Sequence, residues 1–212
     1  MKLYTYFRSS AAYRVRIALN LKALDYEALP INLRKNDSEQ LSEGYFEVNP
    51  QRLIPALMDD GVIITQSLAI IEYLEEKYPD IPLLPQNPIE RAHVRAMALA
   101  IACDIHPLNN LRVLNYLRDE LKQKENAVNN WYRHWIQLTF AGLEQLVQNY
   151  GGDYCYADTI TMADVFLIPQ MANARRLDTD LSAFPNLVRI DGILTEHPAF
   201  NAAAPENQPD QE

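Results

Sequence analysis

The chain has 212 residues, 48% apolar and 22% charged, with 6 glycines and 13 prolines, which excludes collagen-like, low-complexity and largely disordered chains. This length fits one large domain or two compact ones. A net charge of −9, from 28 acidic and 19 basic residues, opposes a nucleic-acid partner, and an anionic substrate would need local arginines to override the same adverse field.

Residues 3–7 are β-branched and aromatic-rich and precede Arg8, Ser9 and Ser10, which predicts a strand entering a turn. From residue 11 to 24, Val15, Ala18, Leu19 and Ala23 fall at helical spacing, and residues 26–33 offer a second strand. A weaker helix is expected over 38–46, ended by Asn49 and Pro50. Residues 54–58 and 62–64 flank Asp59, Asp60 and Gly61, the turn chemistry of an antiparallel hairpin. An amphipathic helix over 66–78 follows, stopped by Pro79. The first 78 residues thus read βαβ, a short helix, then ββα.

Residues 79–88 contain four prolines without periodicity and mark a linker. Everything after it reads as helical. Residues 92–117 have helical spacing, with Asn109 and Asn110 placed to satisfy backbone groups at a break in the helix, and Trp131, Trp135, Leu138, Gly142 and Leu146 form a later apolar stripe expected to face the core. Thr161 and Asp164 have the spacing of a capping box. Residues 183–194 and a stretch after Pro198 supply two last helices, and the polar segment from about 203 is expected to be a mobile tail. The expected organisation is an α/β domain over 1–78, a linker over 79–88 and an all-helical domain over 89–212.

Cys103 and Cys155 are too few for a disulfide framework, lack metal-ligand spacing, and are expected to be small buried apolar residues. The N-terminus has no signal-like apolar core and no 18-residue apolar stretch exists, so the expectation is a cytoplasmic protein without membrane or metal partners.

Two helix starts invite chemistry. Arg8, Ser9 and Ser10 stand at a strand-to-helix junction, where backbone N–H groups and the helix dipole favour an anion and a serine hydroxyl can donate to it. Gln66 and Ser67 open the helix after the hairpin in the same way. In both places the alternative is plain N-capping. His106 before Pro107 and Asn110 have packing or capping as their ordinary roles, and Arg176 an exposed or ion-paired one.

The run Ser9, Ser10, Ala11, Ala12, Tyr13, Arg14, Val15, Arg16, Ile17, Ala18, Leu19 resembles the signature of the zeta class of glutathione transferases. Segments 49–55, 66–74 and 161–174 are similar to family segments in the family order, so the resemblance covers residues 2 to about 209. It implies a thioredoxin-like domain with a cis Pro55, an all-helical second domain, and a homodimer that uses glutathione. It also implies that Ser9 and Ser10 activate the thiol, that Ile54 pairs its backbone with the cysteinyl part, and that Gln66 and Ser67 hold the γ-glutamyl carboxylate. Gln40, His106, Asn110 and Arg112 would reach glutathione or its bound partner, and Arg8 and Arg176 would bind substrate carboxylates. Ala11 stands where the signature usually has cysteine, so any role of that thiol cannot operate here.

The implied activity is glutathione-dependent cis–trans isomerisation, of maleylacetoacetate to fumarylacetoacetate in tyrosine and phenylalanine breakdown. Maleylpyruvate isomerisation in gentisate breakdown and general glutathione transfer are alternatives, and a non-enzymatic binding module on this fold is the alternative from another class.

Overall fold

A computed structural model describes residues 1–34 and 38–211, which fall into two units, Met1–Pro82 with Thr195–Glu212, and Leu83–Leu194. In the first unit the order is β1 (Lys2–Thr5), α1 (Ser10–Leu21), β2 (Glu27–Pro30), a 3-10 turn (Glu39–Leu41), α2 (Glu43–Val48), β3 (Ala56–Asp59), β4 (Val62–Thr65) and α3 (Ser67–Lys77). The strands form one sheet in the order β2-β1-β3-β4, with β1 parallel to β2 and β3 antiparallel to both β1 and β4. This is the thioredoxin-like order expected of the first domain.

Local chemistry explains the element ends. The β3–β4 hairpin closes through Asp60 and Gly61, both at positive φ (49° and 80°), the conformation a two-residue type I′ turn requires. Helix α1 ends where Ala23 turns left-handed and the Leu24 N–H returns to the Leu19 carbonyl. Lys22 then pairs with Glu75 at 2.9 Å in a buried site and donates to the Tyr78 and Ile81 carbonyls, which fastens α1 to α3 and to the chain beyond it. Leu3, Val15, Ile17, Leu19, Leu57, Ile70, Ile71 and Leu74 fill the core.

The second unit holds α4 (Pro88–Leu99), a π turn (Ala100–Ile105), α5 (Leu111–Asp119), α6 (Glu125–Tyr150), α7 (Met162–Arg176) and α8 (Pro185–Thr195, whose last residue groups with the first unit). The helical stretch over 92–117 divides at the π turn and Pro107, and Asn110 caps the new start at the expected break, its side chain accepting from the Arg112 N–H. Two expectations are corrected here. The core face of α6 is Val128, Tyr132, Ile136, Phe140, Leu143 and Val147, one step around from the tryptophan stripe, whose Leu138 is 58% exposed. Cys103 is exposed, although Cys155 is buried as expected.

The division of the chain also differs from the reading of composition. The first unit runs to Pro82, and Leu83 and Leu84 are buried in the second, where the Leu83 carbonyl accepts from the Met162 N–H. After α8 the chain rejoins the first unit and forms α9 (Pro198–Ala203), which packs on α1. Polar composition from residue 203 suggested a mobile tail. In the structure Ala203 and Ala204 are buried, Gln208 donates to the Ala202 and Ala204 carbonyls, and Asp210 accepts from the Phe7 N–H. Among the described residues no helix is long and apolar enough to cross a membrane.

Candidate functional site

The sheet register gathers the first unit's candidates at one edge. Tyr4 near the end of β1 faces Ala56 at the start of β3, and Ala56 faces Thr65 at the end of β4. Immediately beyond that edge lie the start of α1, the start of α3 and the cis Ile54–Pro55 bond. Residues at 8–10, 54 and 66–67, far apart in sequence, are neighbours for this reason.

Ser9 is the N-cap of α1, in extended conformation, and its Oγ accepts from the Ala12 N–H at 3.2 Å. Capping uses only a lone pair of the hydroxyl, so the Ser9 proton is left to donate elsewhere. Capping and function are therefore compatible at this residue. Ser10 is buried as the first helical residue, and Arg8 is half-buried in the turn before it.

Helix α3 starts differently. Gln66 sits at φ 70° and ψ 119°, an unusual conformation for a residue with a Cβ, and its side chain makes no cap. Its Nε2 instead donates to Gln51 Oε1 at 2.7 Å. Ser67 is buried, and its Oγ accepts from Arg14 Nη1 at 3.3 Å, which keeps the serine proton available and brings a cationic group beneath the helix start. The approach to Pro55 is fixed by buried Asn49, whose Nδ2 donates to the Leu53 carbonyl at 2.7 Å, and by the Tyr45 hydroxyl, which donates to the same carbonyl at 2.8 Å. The β1–β3 ladder begins only at Ala56, so the Ile54 backbone lies ahead of it. Gln40, on the 3-10 turn, has a buried Oε1 without a partner among the described residues.

Arg14 and Arg16 are both buried in α1 and bond across this region. Arg16 is fully buried and meets carbonyls and a hydroxyl rather than a carboxylate. Burial lowers its pKa to about 10, opposed by the fields of Tyr26, Asp210 and Tyr13. The sequence signal available for both residues was two arginines within a buried-looking helix that offers them no acid.

In the second unit His106 follows the π turn, Asn110 caps α5, and Arg112 is exposed on its first turn. Arg176, at the end of α7, is exposed, hydrogen-bonds Asn173 Oδ1 at 3.2 Å and lies 5.9 Å over the Tyr132 ring. Buried Asn109 donates to the Tyr132 carbonyl at 3.0 Å, so the 106–112 segment and Arg176 approach the same tyrosine. Sequence reasoning missed Tyr132 because the tryptophan stripe beside it was the stronger pattern. Cys155 is chemically quiet, its thiol pushed well up by burial and then by the nearby Asp164 carboxylate.

Residues 3–86 match the family model described as the glutathione S-transferase N-terminal domain. Over 98% of its length the chain is 50% identical to a protein of Vibrio cholerae named as a probable maleylacetoacetate isomerase, covering 97% of that protein. It is also similar to a solved holo structure of maleylpyruvate isomerase, described as a bacterial zeta-class glutathione S-transferase, with a TM-score of 0.97, 44% identity and full coverage of both chains. A maleylacetoacetate isomerase from Methylobacterium extorquens AM1, solved with bound malonate and glutathione, superposes with a TM-score of 0.95 at 36% identity, again over both full lengths.

Proposed function

From the premise that the chain belongs to the zeta class of glutathione S-transferases, we propose that it isomerises maleylacetoacetate to fumarylacetoacetate with glutathione as cofactor, in tyrosine and phenylalanine breakdown. The observation that carries this reading is the Ser9 hydroxyl, held at the α1 N-terminus with its proton unspent, at the sheet edge where the uncapped start of α3 also lies. The residues suit glutathione. Gln40 has a buried acceptor without a partner among the described residues, Ile54 has backbone groups ahead of the ladder, and two helix starts favour anions.

Bound glutathione supplies a thiolate that adds to the activated double bond and leaves again after rotation about the resulting single bond. Ser9 donates to the sulfur and the α1 N-terminus stabilises its charge, with Ser10 next in line. A free thiol of pKa about 8.5 is only a few per cent ionised at neutral pH, so lowering it by about two units raises the reactive fraction more than tenfold. Gln66 and Ser67 hold a carboxylate at the start of α3. Arg8, beside the nucleophile, binds one substrate carboxylate and stabilises charge that develops next to it. In the second unit Arg176 binds a carboxylate, and guanidinium suits it because its paired N–H groups match the two oxygens. His106, Asn110 and Arg112 are assigned to ligand recognition. The enzyme is assigned to the cytoplasm, as a homodimer.

Maleylpyruvate is the second reading, supported by the full-length similarity to the maleylpyruvate isomerase structure. Product analysis with each cis diacid separates the two. Total thiol followed alongside double-bond geometry tests the mechanism: glutathione is required and its concentration stays constant. Stoichiometric thiol loss, or full activity without glutathione, refutes it.

A further inference from the structure

The turn of residues 6–9 carries both Arg8 and Ser9, yet no ladder holds it, because β1 ends at Thr5 and α1 begins at Ser10. Its backbone groups are met from two directions. The Tyr6 carbonyl accepts from the Ser9 N–H at 3.0 Å and from Arg16 Nη1 at 3.3 Å, and the Phe7 carbonyl accepts from Arg16 Nη2 at 3.1 Å. The Phe7 N–H donates to Asp210 Oδ2 at 2.9 Å, across 203 positions of sequence. Arg16 itself is held from the same end of the chain, since its Nε donates to the Ala203 carbonyl at 2.9 Å. The C-terminal segment therefore reaches the turn twice, directly through Asp210 and indirectly through Ala203 and Arg16.

We propose that the segment from α9 to Asp210 is a strap that sets the geometry of the Arg8–Ser9 turn, with Asp210 as its positioning residue. The strap has a firm base. Phe200 and Ala203 are buried, the Tyr13 hydroxyl donates to the Phe200 carbonyl at 3.3 Å and Asn20 donates to the Ala199 carbonyl at 3.0 Å. Beyond that base the segment is polar, and the burial of apolar surface does not account for the return of an acid to this one amide. A carboxylate accepting from a backbone N–H makes a stronger bond than a neutral acceptor, and it fixes the peptide plane one residue before Arg8 and two before Ser9. Small displacements of a reacting group are costly, about a hundredfold in rate for 1 Å, which gives a remote hydrogen bond leverage on turnover. Asp210 touches neither ligand in this scheme, and its effect on turnover rests on the assignment of Ser9 and Arg8 to the reaction.

Asp210→Ala, Asp210→Asn and Ser9→Ala in the full-length enzyme test the strap. The readouts are kcat, the glutathione KM, the pKa of the bound thiol followed by thiolate absorbance, and hydrogen exchange at the Phe7 and Ser9 amides. Asp210→Ala is expected to speed exchange at both amides, raise the bound thiol's pKa and lower kcat about three- to tenfold, with the glutathione KM within about twofold. Asp210→Asn keeps an acceptor oxygen and is expected to stay within about twofold of the parent. Asp210→Ala with parental kcat and thiol pKa overturns the proposal, even where its melting temperature falls, and leaves the Ser9 assignment standing if Ser9→Ala is impaired. If Ser9→Ala is unimpaired, that assignment falls. The strap is then sustained by faster exchange together with lower kcat in Asp210→Ala, and overturned by the absence of either.

Discussion

Helices α3 and α7 begin in opposite ways. At the start of α7 the Asp164 carboxylate is buried and accepts from the Thr161 N–H at 2.8 Å, the Thr161 hydroxyl at 2.9 Å and the Cys155 N–H at 2.9 Å, so donors around this helix start are matched from within the chain. At the start of α3 no side chain caps, Gln66 holds a positive φ, and Ser67 presents a hydroxyl whose oxygen already accepts from Arg14. A helix start that satisfies itself is structural, and one left without a side-chain cap at the cost of backbone strain fits the carboxylate-holding role proposed for it. Helix α1 is intermediate, since Ser9 caps it and keeps a proton in reserve.

Substitutions at these ends should separate stability from catalysis. The largest effect is expected at the closed end: Asp164→Ala strands donors in the interior and should cost about 3 kcal/mol in chemical denaturation, with the folded fraction keeping its specific activity. A loss of turnover at unchanged stability would break the contrast. At the intermediate end, Ser9→Ala should lower kcat by about 30- to 100-fold at nearly parental stability, whereas Tyr6→Phe should leave the bound thiol's pKa unchanged. Tyr6 rather than Ser9 moving that pKa would reverse the assignment.

Smaller effects sharpen it further. Arg176→Ala, at the far end of α7, should raise the substrate KM about tenfold with little change in kcat, while lysine there restores part of the loss, as steady-state kinetics will show. Ser67→Ala should raise the glutathione KM about three- to tenfold, measurable by calorimetric titration as well as by kinetics. The smallest effect concerns pH. Burial raises the Asp164 carboxyl above its ordinary value of 3.8, against hydrogen bonds from Cys155 and Thr161 that lower it. The native state then binds this proton more readily than the unfolded chain, so the carboxyl's contribution is greatest below the ordinary value and is lost as pH rises through the native one. Denaturation of the parent and of Asp164→Asn from pH 7 down to about pH 4 should show the parent gaining relative to the variant as pH falls.

Much of the fold was legible where local rules decide. The Asp60–Gly61 hairpin, the alternation of strand and helix before it, and the acid three residues after Thr161 each state their structure within a few positions. Asn109 and Asn110 marked the break in residues 92–117, but the π turn ahead of it carried no signal of its own. The choice between two adjacent stripes on α6 was made by what packs on them, which periodicity does not encode. The place of Ser9 at the start of α1 was legible between strand and helix. The positive φ of Gln66 had no signal, since glutamine is not a residue that advertises it. The Arg14 bond to Ser67, the Arg16 bond to the Ala203 carbonyl and the return of Asp210 join residues 53 to 203 positions apart, beyond the reach of any local pattern.

The first unit is discontinuous in sequence, and this bears on how the protein is made. During synthesis the ribosome releases Met1–Pro82 long before Thr195–Glu212, so Arg16 waits without the Ala203 carbonyl and Phe7 without Asp210 while the whole helical unit emerges. The nascent sheet and its three helices can collapse early, with Arg16 already bonded to Thr5, Tyr6 and Phe7, but its Nε meets the Ala203 carbonyl only once the C-terminal segment has emerged. Contacts of such separation fold slowly and leave intermediate surfaces exposed, so the turn that carries Ser9 gains its bonds from residues 203 and 210 later than those made within the first 82 residues.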